Sequence, residues 1–175
     1  MAEALVVFVA YLLGAIPFGL IFGRLFGSVD VRTEGSRNIG AANVARVVGK
    51  TAGLLTLFFD ALKGCLAVVL GSLIVGNDEI SAVCGLAALL GHTFPVFLKF
   101  RGGKGVATTL GTLLAAIPLT GLAACAIWLL AAMLFKISSL SALIAIGLSP
   151  VITALLYGIY PASICAFITL LVFIR

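Results

Sequence analysis

From Val106 to Ile174 the chain carries one charged side chain, Lys136. A chain that apolar cannot meet water along its length, and each segment of about 20 such residues is long enough to cross a bilayer as a helix. Three further apolar blocks precede it: Ala4–Phe26, with Arg24 near its end, Thr51–Val75, and Ile80–Phe97. Backbone groups in lipid must be satisfied inside the protein, so blocks of this length read as helices. A β-barrel would show period-two alternation, and none is visible. Composition agrees: 63% of the 175 residues are hydrophobic and only 10% charged, with mean hydropathy +1.32. The reading is an all-α integral membrane protein, one polytopic domain over residues 1–175.

The first block lacks a basic leader, has Glu3 near its start and is too long for a signal peptide's apolar core, so it is expected to be the first permanent span. Cys65, Cys84, Cys125 and Cys165 stand alone inside apolar blocks with no metal-type spacing, and read as small buried residues. No internal repeat or second domain is visible. Nothing in the sequence calls for a metal or an organic cofactor, no nucleic-acid partner is expected, and the sequence does not specify an oligomeric state.

The stretch from Val106 to Phe135 is long for one span, and Pro118 is expected to break it. With that break there are about seven transmembrane helices, the fourth and seventh short. Ten of the eleven basic residues, all but Lys63, then share one face. The other face holds Glu3, Asp78 and Glu79. The positive-inside rule makes the basic face cytoplasmic, with the N-terminus outside and the C-terminus cytoplasmic. Residues such as Lys136 and Arg175 read as ordinary anchors to anionic lipid.

Two loops on the basic face carry more than anchors. The first, Thr33 to Arg46, gathers glycines, Ser36, Arg37, Asn38, Asn43 and Arg46. Glycine permits close backbone approach to a ligand, the serine and asparagines offer neutral hydrogen bonds, and arginine's planar fork matches phosphate. Asn43 and Arg46 share a side if the segment is helical. The alternative is a plain polar turn in which Ser36 or Asn38 caps a helix. The second loop holds Lys99, Arg101, Gly102, Gly103, Lys104 and Gly105, then an apolar helix with Thr108 and Thr109. Glycine-rich backbone running into a helix N-terminus presents N–H groups and a positive dipole to an anion. Its spacing is not that of a P-loop. The competing reading is a flexible turn with snorkelling anchors.

His92 is the only histidine and lies beside the second loop. Its ordinary pKa suits proton transfer near neutrality. Asp60 and Lys63 sit well inside the second block, where charges are costly and tend to be paired or functional. Three apart, they read as a structural ion pair near the site, with Lys63 reaching toward an anion.

These residues resemble the bacterial acyl-phosphate:glycerol-3-phosphate acyltransferases. The likeness runs through Gly14-Ala15-Ile16-Pro17-Phe18-Gly19, Gly35-Ser36-Arg37-Asn38-Ile39-Gly40-Ala41-Ala42-Asn43, Asp60-Ala61-Leu62-Lys63-Gly64 and the whole Gly91–Thr108 segment. The family more often has glycine at the position of Arg37 and threonine at that of Ala42. Its members usually continue past the last span with a basic third motif. This chain stops at Arg175, so that motif is expected to be absent or cut off here. The resemblance implies transfer of a fatty acyl group from acyl-phosphate to the 1-hydroxyl of glycerol 3-phosphate, at the cytoplasmic side of the bacterial inner membrane, with lysophosphatidic acid and inorganic phosphate as products. Its partners would be glycerol 3-phosphate, acyl-phosphate and membrane lipid.

Both substrates bear phosphate, which fits two cationic loops. The donor is already a mixed anhydride, so no nucleophilic residue is needed. Catalysis would come from holding the substrates together and stabilising charge. On this reading Ser36, Arg37, Asn38, Asn43 and Arg46 serve one phosphate. Gly102, Gly103 and Lys104, helped by Lys99 or Thr108, serve the other. His92 orients a substrate or takes the hydroxyl proton, unless a substrate phosphate takes it. A transporter of a phosphorylated metabolite is the alternative. It would also need basic loops, but the polar clusters gather at one face and the halves show no repeat.

Overall fold

The computed structural model describes every residue from Met1 to Arg175 and is entirely helical. In chain order the helices are α1 (Ala2–Gly14), α2 (Phe18–Gly27), α3 (Ala41–Val47), α4 (Lys50–Val75), α5 (Asp78–Thr93), α6 (Val106–Ala116), α7 (Pro118–Phe135), α8 (Ser138–Tyr157) and α9 (Ile159–Ile174), with a 3-10 turn at Val96–Leu98. Five apolar segments are long enough to cross a bilayer: α1 with α2, α4, α5 with the 3-10 turn, α7, and α8. Two more, α6 and α9, are apolar but shorter. Their outer surfaces are greasy throughout. Leu73, Leu134, Leu155 and Ile159 are each more than 75% exposed, the signature of a lipid-facing belt. The chain is a multi-pass membrane protein.

The first apolar block is not one straight span. Pro17 lacks an N–H and disfavours helical backbone at Ile16, so α1 ends and α2 restarts across the break. The Ile16 carbonyl, left outside the helical ladder, accepts a hydrogen bond from Lys63 Nζ at 2.9 Å. The expected break at Pro118 is present: α6 ends one residue before it and α7 opens on it.

Helix lengths set the depth of the site. At 1.5 Å per residue, α6 is roughly 16 Å long and α8 roughly 30 Å. The turn after α6 meets the far end of α8, where the Leu119 N–H donates to the Tyr157 hydroxyl at 3.3 Å. α6 is about half the length of α8. In the second loop Gly103 and Gly105 are buried, while Lys99, Phe100, Arg101 and Lys104 are exposed.

Small residues let the helices cross closely, which is how helices associate where lipid removes the hydrophobic drive. Gly64 of α4 lies against the backbone of Thr108, and Gly111 of α6 against that of Ala61. Gly14 meets Ala88, and Gly91 meets Tyr11, so α1 and α5 are similarly tight. These crossings bring Asp60 of α4, His92 of α5 and the start of α6 to one place.

Candidate active site

A cavity of about 670 Å³ opens where the two loops meet the helix ends. Ser36, Asn38, Arg46 and Lys50 border it on one side, Asp60 and His92 lie along it, and Lys104 with the first turn of α6 closes another wall. Lys136, Ser138 and Ser139, at the junction of α7 and α8, also line it. Its apolar part is formed by Leu54, Leu57, Leu110 and Trp128. The volume suits a small organic ligand. Four cations line it, against one carboxylate.

That carboxylate is already paired. Asp60 Oδ1 lies 2.7 Å from Lys63 Nζ, with both side chains almost fully buried. Lys63 does not reach toward an anion as the sequence suggested. It donates one hydrogen bond to the Ile16 carbonyl, and its ammonium lies 5.7 Å from the Phe18 ring centroid, inside the bundle. The kink at Pro17 thus provides the acceptor that holds Lys63. His92 Nδ1 sits 3.6 Å from Asp60 Oδ1, within reach of a small adjustment but too long for a formed hydrogen bond. The imidazole is only 4% exposed.

The glycines of the second loop act differently from the expectation of a free anion cradle. The Gly102 N–H donates to the Thr93 carbonyl and the Gly103 N–H to the His92 carbonyl, both at 3.1 Å. These bonds satisfy the last carbonyls of α5 and fix His92. A side chain on Gly102 would strike the His92 carbonyl, and one on Gly103 would press on His92 Nε2. The bare backbone at Gly103 keeps that edge of the ring clear. The free donors lie one step later: the N–H groups from Lys104 to Thr108 find no acceptor in the chain, and residues 104–107 line the cavity. Thr108 is fully buried and its carbonyl faces Gly64, so it supports the α4–α6 crossing instead of the cavity. Lys99 is exposed and lies off the cavity wall.

In the first loop, Asn43 is an internal brace. Its Oδ1 accepts from the Ser36 N–H at 2.8 Å, and its Nδ2 lies 2.9–3.1 Å from the carbonyls of Val31, Glu34 and Asn38. With its amide spent and 2% of the residue exposed, Asn43 shapes the loop and has no donor left for phosphate. Neither Ser36 nor Asn38 caps α3. The N-cap is Gly40, whose N–H is taken by Asn38 Oδ1 at 2.9 Å. Arg37 is exposed, off the cavity wall, and held at φ 59°. That left-handed backbone is the physical reason glycine suits this position. At the loop entrance the Arg32 guanidinium grips both oxygens of Asp30, the shorter contact being 2.6 Å. This bond holds the Asp30 carboxyl down to about 2.

The sequence reading passed over Lys50, Trp128 and Lys136 as cavity residues. Lys136 had one available signal, being the only charge in 69 residues of apolar sequence, Val106 through Ile174. Arg175 is also more than an anchor. Its Nη2 donates to the Thr93 carbonyl at 2.9 Å, and its guanidinium carbon lies 4.8 Å from the Phe94 ring centroid.

A multi-pass helical bundle with a buried Asp–Lys–His group beneath a cationic cavity defines a membrane protein equipped to handle anionic ligands. Comparison with known proteins narrows this. The profile described as glycerol-3-phosphate acyltransferase matches residues 4–175. The glycerol-3-phosphate acyltransferase of Jannaschia sp. (strain CCS1) is 53% identical over 167 residues, 95% of this chain and 81% of that protein. That of Dechloromonas aromatica (strain RCB) is 48% identical over 158 residues, 90% of this chain and 80% of the relative. A crystal structure of PlsY (YgiH), an integral membrane glycerol 3-phosphate acyltransferase, in its glycerol 3-phosphate form, superposes with TM-score 0.93 at 36% identity, covering 100% of this chain and 88% of that one. The lysophosphatidic acid form gives 0.91. The chain belongs to the glycerol-3-phosphate acyltransferase family and is a membrane acyltransferase.

Proposed function

We propose that the protein transfers a fatty acyl group from acyl-phosphate to the 1-hydroxyl of glycerol 3-phosphate, giving lysophosphatidic acid and inorganic phosphate. The observation that carries this reading is the cavity itself. Cations from separate elements surround it, while Leu54, Leu57, Leu110 and Trp128 give it an apolar side. A phosphorylated polyol and an amphiphilic phosphate both find their chemistry there. The relatives' name supports the acceptor, and the absence of any need for a nucleophile fits an acyl-phosphate donor.

Arg46, with Ser36 and Asn38, binds the phosphate of glycerol 3-phosphate. Lys104 and the open N–H groups at the start of α6 stabilise phosphate and carbonyl charge. His92 is turned by Asp60, which faces Nδ1 and leaves Nε2 for the substrate hydroxyl. The hydroxyl oxygen attacks the acyl carbonyl carbon as its proton passes to His92. The bond from that carbon to the phosphate oxygen breaks, and phosphate departs. Gly102, Gly103, Asn43 and Lys63 position these groups. The chain crosses the inner membrane about seven times, with α6 and α9 as short spans, the N-terminus outside and the cavity cytoplasmic. The gathering of Arg46, Lys50, Lys104 and Lys136 at one pole supports that orientation.

Steady-state kinetics of purified Arg46→Ala and Lys104→Ala test the assignment. Each is expected to lower kcat/KM by about 100-fold, the scale of a lost charged hydrogen bond in a closed site. Wild-type constants in both variants would overturn it.

A further inference from the structure

A second cavity, of about 430 Å³, opens at the pole away from the active site. The same helices border both. α5 brings His92 of its last turn to the first cavity and Asp78 and Glu79 of its first turn to the second. α6 gives its opening turn to the first and Thr112 and Ala116 to the second. No residue lines both.

The mouth of the second cavity is acidic and aromatic. Asp78, Glu79, Tyr157 and Tyr160 line it and are exposed. No basic side chain lines the cavity, and neither carboxylate has an ion-pair partner. Acids in the first turn of α5 suit the helix dipole, but that does not account for the tyrosines, which come from the end of α8 and the start of α9. Carboxylates and electron-rich rings together attract an ammonium group.

The interior is mostly apolar. Val68, Leu113 and Ile168 line it and are each under 5% exposed. Thr112 stands among them at 2% exposed, and its hydroxyl has no hydrogen-bond partner in the chain. Ser81, the buried serine of the same wall, is by contrast satisfied by the Asn77 carbonyl at 2.8 Å. The Thr112 side chain is admitted between Gly64 of α4 and Gly85 of α5, where a Cβ on either glycine would collide with it. Buried hydroxyls are nearly always paired, so Thr112 marks the place for a ligand's hydrogen-bonding atom. Counted along α5 from Glu79 to Gly85, that place is roughly 9 Å inward of the carboxylates.

We propose that this cavity binds a lipid with a primary ammonium headgroup. The ammonium sits at Asp78 and Glu79 beside the tyrosines, a carbonyl of the lipid's ester region reaches Thr112, and part of a chain lies against Val68, Leu113 and Ile168. A lipid with an anionic headgroup would meet two carboxylates and no cation. The site is separate from acyl transfer and does not rest on the function proposed above.

The test uses phosphatidylethanolamine carrying a photoactivatable diazirine in one chain, added to the purified protein in a neutral detergent. Labelled residues, mapped by mass spectrometry, are expected at Val68, Leu113, Ile164 or Ile168. Unlabelled phosphatidylethanolamine should halve that labelling at about tenfold lower concentration than phosphatidylglycerol of the same chains, the scale of one charge-assisted contact. Asp78→Asn/Glu79→Gln should abolish the difference between the two lipids. Thr112→Val should raise the phosphatidylethanolamine midpoint severalfold, yet melt within about 2 °C of wild type in lipid-free detergent, since its hydroxyl has no partner there to lose. Ala116→Phe, which adds bulk at an exposed position of the wall, should block the labelling. Labels confined to the lipid-facing belt, at Leu134 or Leu155, would overturn the proposal. So would equal competition by phosphatidylglycerol in wild type, or an unchanged midpoint in Thr112→Val. Competition by water-soluble ethanolamine at the same concentrations would overturn the lipid as occupant. The labelling needs no turnover, so its outcome is independent of the acyltransferase reading.

Discussion

Removing Lys63 while keeping Asp60 isolates the interaction that the kink at Pro17 serves. In Lys63→Met the aliphatic stem is retained and two contacts are lost. The Asp60 carboxylate, 2% exposed, loses its partner at 2.7 Å. An unpaired buried charge of this kind costs about 3–5 kcal/mol. The Ile16 carbonyl loses the donor at 2.9 Å but keeps the Phe18 N–H at 3.2 Å, so this loss adds only about 0.5–1.5 kcal/mol. The sum is about 3.5–6.5 kcal/mol. By the usual scaling for a chain of this size that lowers the melting temperature by roughly 10 °C or more. In Asp60→Asn/Lys63→Met the charge is gone and only the carbonyl term remains, so about 3 kcal/mol should return and appear as coupling in a double-mutant cycle. The assay is thermal unfolding of the detergent-purified protein, followed by exposure of buried cysteine thiols. A Lys63→Met protein melting within about 2 °C of wild type would contradict the reasoning. So would a double variant no more stable than the single one.

Three other outcomes follow from the same geometry. His92→Gln should lower kcat by about 100-fold or more with little change in either KM; near-full activity with an unaltered pH profile would remove His92 as the base, and Gly103→Ala, which places a methyl against Nε2, should share the kcat loss. Arg37→Gly, at φ 59°, should match or exceed wild-type stability by about 0.5–1 kcal/mol and leave both KM values unchanged, as read by thermal unfolding and kinetics. Asp30 has its folded pKa depressed to about 2, so its contribution is present above the unfolded value near 4 and fades as pH falls from about 4 to 2; the group is partly exposed, so Asp30→Asn should cost under about 1 kcal/mol at pH 7 and nothing at pH 2, measured by unfolding across that range.

Much of the architecture was legible because lipid imposes length and polarity on every segment. The block beginning at Val106 with Pro118 inside it predicted the α6–α7 break. The first block reads as a span and is one apolar segment long enough to cross a bilayer; the break at Pro17 inside it was not legible, because hydropathy alone reads straight through it. Asp60 and Lys63 at helical spacing announced an ion pair, and the pair is there. The target of Lys63 was not legible, since Ile16 lies 47 residues away and its carbonyl is freed only by the kink. Charge patterning put the loops of Ser36, Arg46 and Lys104 on one face, and all three residues line one cavity. It could not tell glycines that present N–H groups to a ligand from glycines whose N–H groups cap α5. Nor could it show that Asn43, although it borders the cavity, has its amide consumed by its own loop. Lys136 was hidden because an isolated lysine at a helix end has the same sequence appearance whether it faces lipid or lines a cavity.

The most direct test is phosphate release by the purified protein from palmitoyl-phosphate, with and without glycerol 3-phosphate, alongside quantitation of lysophosphatidic acid. The account predicts release that depends on glycerol 3-phosphate and matches lysophosphatidic acid mole for mole. Release that ignores glycerol 3-phosphate, or proceeds without lysophosphatidic acid, would contradict it.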